Sequence, residues 1–219
     1  MNHFTKTASI FFFAMCILLQ ACSTRPPQDL VNVNVNHVSL AYAWEMQGKL
    51  AVRTEQDKFS TNLYWLHTPT RDRITLTTML GTTVLSLTRD PSGSTLQLDG
   101  NTYQDSDPQR LLARLTGWSI PIDTLPLWIT GQVSATDVVT KRDDAQRPIS
   151  AHTHAATSPW QVQFKSWQQQ SGAELPRLLD VNKDSIRLKI QVSQWQALAP
   201  KDNQITNGVA IATEGTLSE

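Results

Sequence analysis

From Tyr42 onward, apolar and polar side chains alternate with a period of two, the mark of strands that turn one face to an interior. Trp44, Met46, Leu50 and Val52 share one parity, and Gly48 between them marks a bulge or bend. After the polar turn Glu55-Gln56-Asp57, Phe59, Thr61, Leu63 and Trp65 share a face, until Pro69 and Arg71-Asp72-Arg73 end the run. Ile74, Leu76 and Thr78 then alternate into a turn, and Leu85 and Leu87 alternate out of it. Asp90-Pro91-Ser92-Gly93 predicts the next turn, and Asp99-Gly100 a hairpin between Leu96–Leu98 and Thr102–Gln104. Strands and turns at this spacing predict an antiparallel meander that curls toward a barrel.

The turn at Met79-Leu80-Gly81 breaks the pattern. Hairpin tips are normally polar, with Gly, Asn or Asp supplying the unusual dihedrals. Gly81 fills that role, but two large apolar residues precede it. Such a tip is either covered by another segment or exposed for a purpose.

At Ser106 the period changes. Ser106 or Asp107 is a suitable N-cap and Pro108 a suitable first helical residue; Leu111, Leu112 and Leu115 follow at helical spacing, and Gly117 is placed to stop the helix. A second short helix is predicted around Leu125, Leu127, Trp128 and Ile129, capped by Asp123 or Thr124 and stopped at Gly131. With Trp118, Ile120 and Ile122 between them, the two helices carry more apolar area than one core-facing stripe needs. They suit a lid over the mouth of a curved sheet.

Val138 to Ala145 is polar and carries little signal, and Ile149–His154 is a weak strand candidate. Trp160, Val162 and Phe164 alternate clearly, Leu178 and Leu179 lead to a turn at Asn182-Lys183-Asp184, and Ile186, Leu188, Ile190 and Val192 form the last strong face, closed by Trp195. The segment 197–219 is polar and small-residue-rich and reads as a disordered tail.

The N-terminus reads as an export signal over residues 1–21: Lys6, an apolar stretch Ile10–Leu19, then Leu19-Gln20-Ala21-Cys22, which resembles a bacterial lipobox. Cleavage before Cys22 leaves that residue to carry lipid. Met15 is too large for cleavage at Cys16, and no thiol then remains for a disulfide. Three acyl chains, at about 0.8 kcal/mol per buried methylene, anchor such a chain practically irreversibly. Ser23 permits export to an outer membrane, by likeness to the sorting rules of enteric lipoproteins. Residues 22–40, with Arg25-Pro26-Pro27 and the thin alternation Val-Asn-Val-Asn-Val-Asn, read as a tether whose end stays free, joins the first strand or forms a short helix. The folded domain is then expected over 41–196.

Of the 219 residues, 40% are hydrophobic, enough for one core, and the 19 basic and 19 acidic side chains balance, which argues against nucleic-acid binding. Seven Trp residues are the compositional surprise and point to a core, an apolar pocket or a membrane interface. No nucleophile elbow, phosphate loop or zinc-protease motif occurs. Ser92-Gly93-Ser94 sits in a turn, His152 and His154 lack companion ligands, and Asp143-Asp144 reads as a solvated loop, so neither catalysis nor a metal or cofactor is expected.

Two motifs now matter together with the lipobox: Leu76–Leu87, L-T-T-M-L-G-T-T-V-L-S-L, and Leu115–Gly131, L-T-G-W-S-I-P-I-D-T-L-P-L-W-I-T-G. In this combination the chain resembles the LolB family of outer-membrane lipoprotein receptors, over about Tyr42 to Trp195. The resemblance implies a mainly β fold with short α-helices, an unclosed antiparallel β-barrel whose helical lid covers a hydrophobic cavity. It implies receipt of lipoproteins from the periplasmic carrier LolA and their insertion into the inner leaflet of the outer membrane. It also implies an exposed tip, with Leu80 as the inserting residue between Met79 and Gly81. Family members often have Pro where this chain has Met79, which trades rigidity for apolar area, and the polar tail departs from the family pattern.

Candidate cavity residues are Trp44, Leu63, Trp65, Leu76, Leu115, Trp118, Trp128 and Ile190, each of which also suits plain core packing. Expected partners are LolA, the acyl chains of cargo lipoproteins and the outer-membrane bilayer, met by a monomer. With no nucleotide-binding motif, transfer must run downhill. The competing readings are a membrane-tethered envelope scaffold or lipid-binding protein without transfer activity, and an enzyme acting on lipid or peptidoglycan.

Overall fold

The computed structural model describes residues 29–155 and 157–201. The expected leader, Cys22, the first part of the expected tether and most of the expected tail lie outside these residues. Twelve strands form one antiparallel sheet: β1 (Leu30–Val33), β2 (Ala43–Arg53), β3 (Lys58–His67), β4 (Asp72–Thr77), β5 (Thr83–Asp90), β6 (Gly93–Leu98), β7 (Asn101–Asp105), β8 (Val138–Arg142), β9 (Pro148–His152), β10 (Gln161–Gln170), β11 (Ala173–Lys183) and β12 (Ile186–Pro200). The path runs β7-β6-β5-β4-β3-β2-β12-β11-β10-β9-β8, with β1 on β12. β7 and β8 end the path without pairing to each other, so the barrel stays open. Helices α1 (Pro108–Thr116) and α2 (Leu125–Ile129) connect these two edges along the chain, α1 packing on β6 and β7 and α2 on β11.

The alternation predicted from Trp44 to Leu98 is the alternation found. Rungs such as Val192–Gly48–Leu63–Leu76–Leu85–Leu98 face inward, and the intervening rungs face out. Gly48 does not itself bulge. The irregularity lies on the neighbouring strand, between Val192 and Gln194, and a Cβ on Gly48 would sit 1.9 Å from the Gln191 carbonyl oxygen. Glycine is required there for close backbone approach.

One open alternative is resolved and two expectations need correction. The end of the tether is ordered rather than free: Leu30–Val33 pairs with Ala197–Pro200, and a 3-10 turn follows at Val38–Leu40. The last strand therefore runs to Pro200, past the expected domain boundary at 196. Val138–Arg142, read as featureless, is strand β8; its outer side chains are mostly exposed, so no apolar alternation announces it.

The sheet has one seam. β11 pairs with β12 over Ile186–Gln191 and β1 pairs with it over Ala197–Pro200, which leaves the β12 backbone between them without a strand on that side. Side chains fill the gap. Gln168 Nε2 donates to the Val192 carbonyl at 3.0 Å, Gln170 Nε2 to the Ser193 carbonyl at 3.2 Å, and the Trp195 amide to Gln170 Oε1 at 2.5 Å. Buried backbone groups need partners of this kind.

Candidate functional site

The inward face of the curled sheet supplies Leu63, Trp65, Ile74, Leu76, Leu85 and Leu87 from β3, β4 and β5, with Leu50 from β2 and Leu188 and Ile190 from β12. The lid supplies Leu112 of α1, Trp118, Ile120 and Ile122 of the connection, and Leu125 of α2. Between these two walls lies an entirely apolar chamber with only about 40 Å³ of free volume. One water needs about 10–15 Å³ of such a cavity, so the chamber has room for a few waters at most. The lid packs closely onto the sheet.

Of the eight candidate cavity residues, Leu63, Trp65, Leu76, Trp118 and Ile190 line this chamber. Trp44 does not: it is buried beside the chamber with its ring 5.8 Å from that of Trp65 and 5.0 Å from the His67 ring. Trp128 does not either. It is the buried root of α2, and its Nε1 donates to Asp137 at 3.1 Å. Leu115 is a half-buried residue that packs against the core from α1 without reaching the chamber. Sequence reasoning missed Leu50, Ile74, Leu85, Leu87 and Leu188, although each shares the inward parity of a candidate on its own or a neighbouring strand. It also missed Ile120 and Ile122, which lie in the irregular segment between the helices.

The lid is capped as the sequence predicts at its first helix. The Asp107 carboxylate accepts from the Gln109 and Arg110 amides at 2.8 and 3.1 Å, and Gly117 ends the helix at φ 74°. The second helix starts at Thr124 without a side-chain cap. Asp123 is turned elsewhere. One of its oxygens is paired with Arg89 Nη1 of β5, and the other accepts from Gln109 Nε2 of α1 at 2.9 Å. Arg89 is in turn held by the buried Asp72 through Nε at 3.0 Å and Nη2 at 2.5 Å. The other Asp72 oxygen accepts from Trp65 Nε1 at 2.9 Å and His67 Nδ1 at 2.6 Å. Burial raises the Asp72 pKa, but the bonds from His67 and Trp65 and the charges of His67 and Arg89 outweigh it and hold the carboxyl below 3.8. A chain of polar contacts thus runs from Trp65 in the chamber wall to α1 and to the connection that leads into α2, and it can act as a latch.

At the far end of β4, the tip is in the open. Leu80 is 96% exposed and Met79 75%. Gly81 has φ 87°, a left-handed conformation that suits glycine. Thr78 braces the turn: its carbonyl accepts from the Gly81 amide at 3.0 Å and from Asn62 Nδ2 at 3.0 Å, and its hydroxyl accepts from the Thr82 amide at 3.2 Å. These bonds order the turn. His152 and His154 form no metal site; among the described residues no group of three or more His, Cys, Asp or Glu could hold a metal ion, and no helix is long and apolar enough to cross a membrane.

A family profile described as "Outer membrane lipoprotein LolB" matches residues 42–195. The outer-membrane lipoprotein LolB of Shewanella loihica is 58% identical over 92% of this chain and 93% of its own, and that of Shewanella sediminis 57% identical over 91% of each. Among solved structures, the LolA superfamily protein NE2245 of Nitrosomonas europaea is a distant likeness, with 10% identity and a TM-score of 0.46 over 87% of this chain and 96% of that one. With a profile match from β2 through most of β12, lid included, and relatives this similar over nearly their full length, the chain belongs to the LolB family of outer-membrane lipoproteins.

Proposed function

We propose that the domain takes the acyl chains of lipoproteins from the LolA carrier into the chamber and inserts them into the inner leaflet of the outer membrane. The observation that carries this reading is the chamber itself: every residue lining it is apolar, and a polar bridge joins its lid to the sheet beside their shared apolar packing. An apolar wall without hydrogen-bonding groups suits hydrocarbon of any length or headgroup. Lipidated cargo leaves methylenes in water unless they are covered, at about 0.8 kcal/mol each. Cys22 is the anchor in this reading, and Leu80 the residue that enters the bilayer. Burial of one leucine side chain in acyl chains yields about 1.5–3 kcal/mol, enough to bias docking and far less than the anchor supplies.

Leu80→Glu tests the tip. Cargo uptake and folding are expected to persist while release into membrane stops; normal insertion by that variant overturns the role of Leu80. A chain carrying Cys22→Ala, and so free of its own lipid, is expected to co-purify with acylated cargo. Its recovery without any acyl chain would favour an envelope scaffold instead.

A further inference from the structure

Three adjacent strands carry an unpaired positive face. On the outward side of β12, β2 and β3, Arg187, Arg53 and Lys58 occupy one rung. Lys189 lies on the next outward rung and Lys49 on the one beyond it. All five are exposed, and none of their side chains makes a hydrogen bond or ion pair with another described residue. Among the described residues, the ion pairs made by Lys and Arg lie elsewhere, on Arg71, Arg89, Arg110, Arg114 and Arg147 and, more loosely, on Lys165. Arg53, Lys58, Arg187 and Lys189 border an open depression of about 780 Å³. Two carboxylates also border it, but both are engaged: Asp180 lies 3.9 Å from Lys165, and Asp184 accepts from the Ser158 hydroxyl at 2.6 Å. Because the whole chain is formally neutral, five free cations on one face make it electrically lopsided.

The position of this face decides its partner. Thr77, at the base of the Leu80 tip, is level with Gln191 through Asn62 and Lys49, so the tip projects at the same end of the sheet as the cations. The chain enters the fold at the opposite end, where Asp29 bonds to Lys201 beyond β12. From Lys201 back to Gln191, and hence from Asp29 to the base of the tip, is at least about 30 Å along the strand direction. The seven residue steps from Cys22 to Asp29 span at most about 25 Å in any conformation. A domain anchored through Cys22 therefore cannot stand end-on with its tip in the same bilayer. It reaches the bilayer with Leu80 only by lying over, and β12, β2 and β3 connect the anchored end to the tip.

We propose that the outward face of β12, β2 and β3 docks on anionic phospholipid headgroups, so that the domain lies on its side between its N-terminal anchor and Leu80. The proposal rests on the reading of Cys22 and Leu80 as membrane groups, and its test separates the two. A chain carrying Cys22→Ala is mixed with vesicles of phosphatidylcholine alone or with phosphatidylglycerol added. Binding is expected to be much tighter to the anionic vesicles and to fall with salt. The triple variant Lys49→Gln, Arg53→Gln, Lys189→Gln, with its fold checked by thermal melting, is expected to lose roughly 100-fold in affinity for anionic vesicles only, since each cation near such a surface contributes roughly fivefold. Leu80→Glu is expected to weaken binding to both compositions. Equal wild-type binding to the two compositions, or a triple variant that binds anionic vesicles like wild type, overturns the docking face. If the triple variant instead loses association with an acidic carrier protein while vesicle binding stands, the face belongs to a protein partner and the proposal fails. Leu80→Glu without effect, beside an intact anionic preference, overturns the tip and leaves the face standing.

Discussion

Asp123→Ala isolates the latch from the core beneath it. Arg89 cannot serve, because it also neutralises the buried Asp72, and its loss would disturb the sheet. Asp123 is 60% exposed at its side chain and touches only the lid side and Arg89. An ion pair this open is worth about 0.2–1 kcal/mol after solvent screening. The hydrogen bond from Gln109 adds about 0.5–1.5 kcal/mol. Together they stabilise the closed lid by about 1–2 kcal/mol, so their removal raises the open population by roughly 5- to 30-fold. With only about 40 Å³ free in the closed chamber, the closed form does not admit a chain, and the apparent affinity for an acyl probe scales with the open fraction. A fluorescent fatty acid titrated into the Cys22→Ala chain is therefore expected to bind at least fivefold tighter when Asp123→Ala is added, and high salt should raise wild-type affinity in the same direction. Equal or weaker binding by the variant, with its thermal midpoint unchanged, would refute the latch.

Three further outcomes follow from particular residues. Asp72→Asn removes a buried charge that faces Arg89 and should destabilise the fold by about 3 kcal/mol, measured by urea unfolding near neutral pH. Because the folded pKa of Asp72 lies below its ordinary value of 3.8, its stabilisation is complete above that value and is lost as pH falls through the folded one; the wild type should weaken in acid more than the variant does. Gly48→Ala places a methyl group against the Gln191 carbonyl and should lower the thermal midpoint, whereas Gly81→Ala, which meets no atom within 4 Å, should cost only the left-handed backbone strain of about 1–2 kcal/mol. Thr78→Val deletes the hydroxyl that accepts from the Thr82 amide while keeping side-chain shape, and should speed amide exchange at the tip without altering the melt of the core.

The parts of this fold legible in the sequence are those where a single physical rule acts alone. Trp44 to Leu98 alternates because each strand has one wet face and one dry face, and the lid helix α1 is bracketed by Asp107, Pro108 and Gly117 because helix ends need an acceptor, a donorless residue and a left-handed turn. β8 was illegible because it buries too little to leave a pattern. β1 was hard to read because it is four residues long with one Asn among them and its pairing partner lies at the other end of the chain. Gln168 and Gln170 look like surface filler in the sequence, yet they complete the β12 backbone where no strand does, a role visible only once β11 and β1 are seen to part.

The candidate site divides along the same line. Parity identifies which residues of a strand share a face, but not which part of the inward face remains an open chamber and which is sealed as core; that is why Trp65 and Ile190 line the chamber while Trp44, of the same inward parity, does not. Asp123 and Thr124 both suit a helix start; Thr124 takes the position, and only the fold brings Arg89 and Gln109 to engage Asp123 instead. The tip at Leu80 shows the reverse case. A large apolar residue at a hairpin turn violates the polar-turn rule, and no described residue covers it to remove the violation. An exposed leucine beside a glycine that no packing requires is a local conflict kept at the surface, and such conflicts gather where a fold does something other than hold itself together.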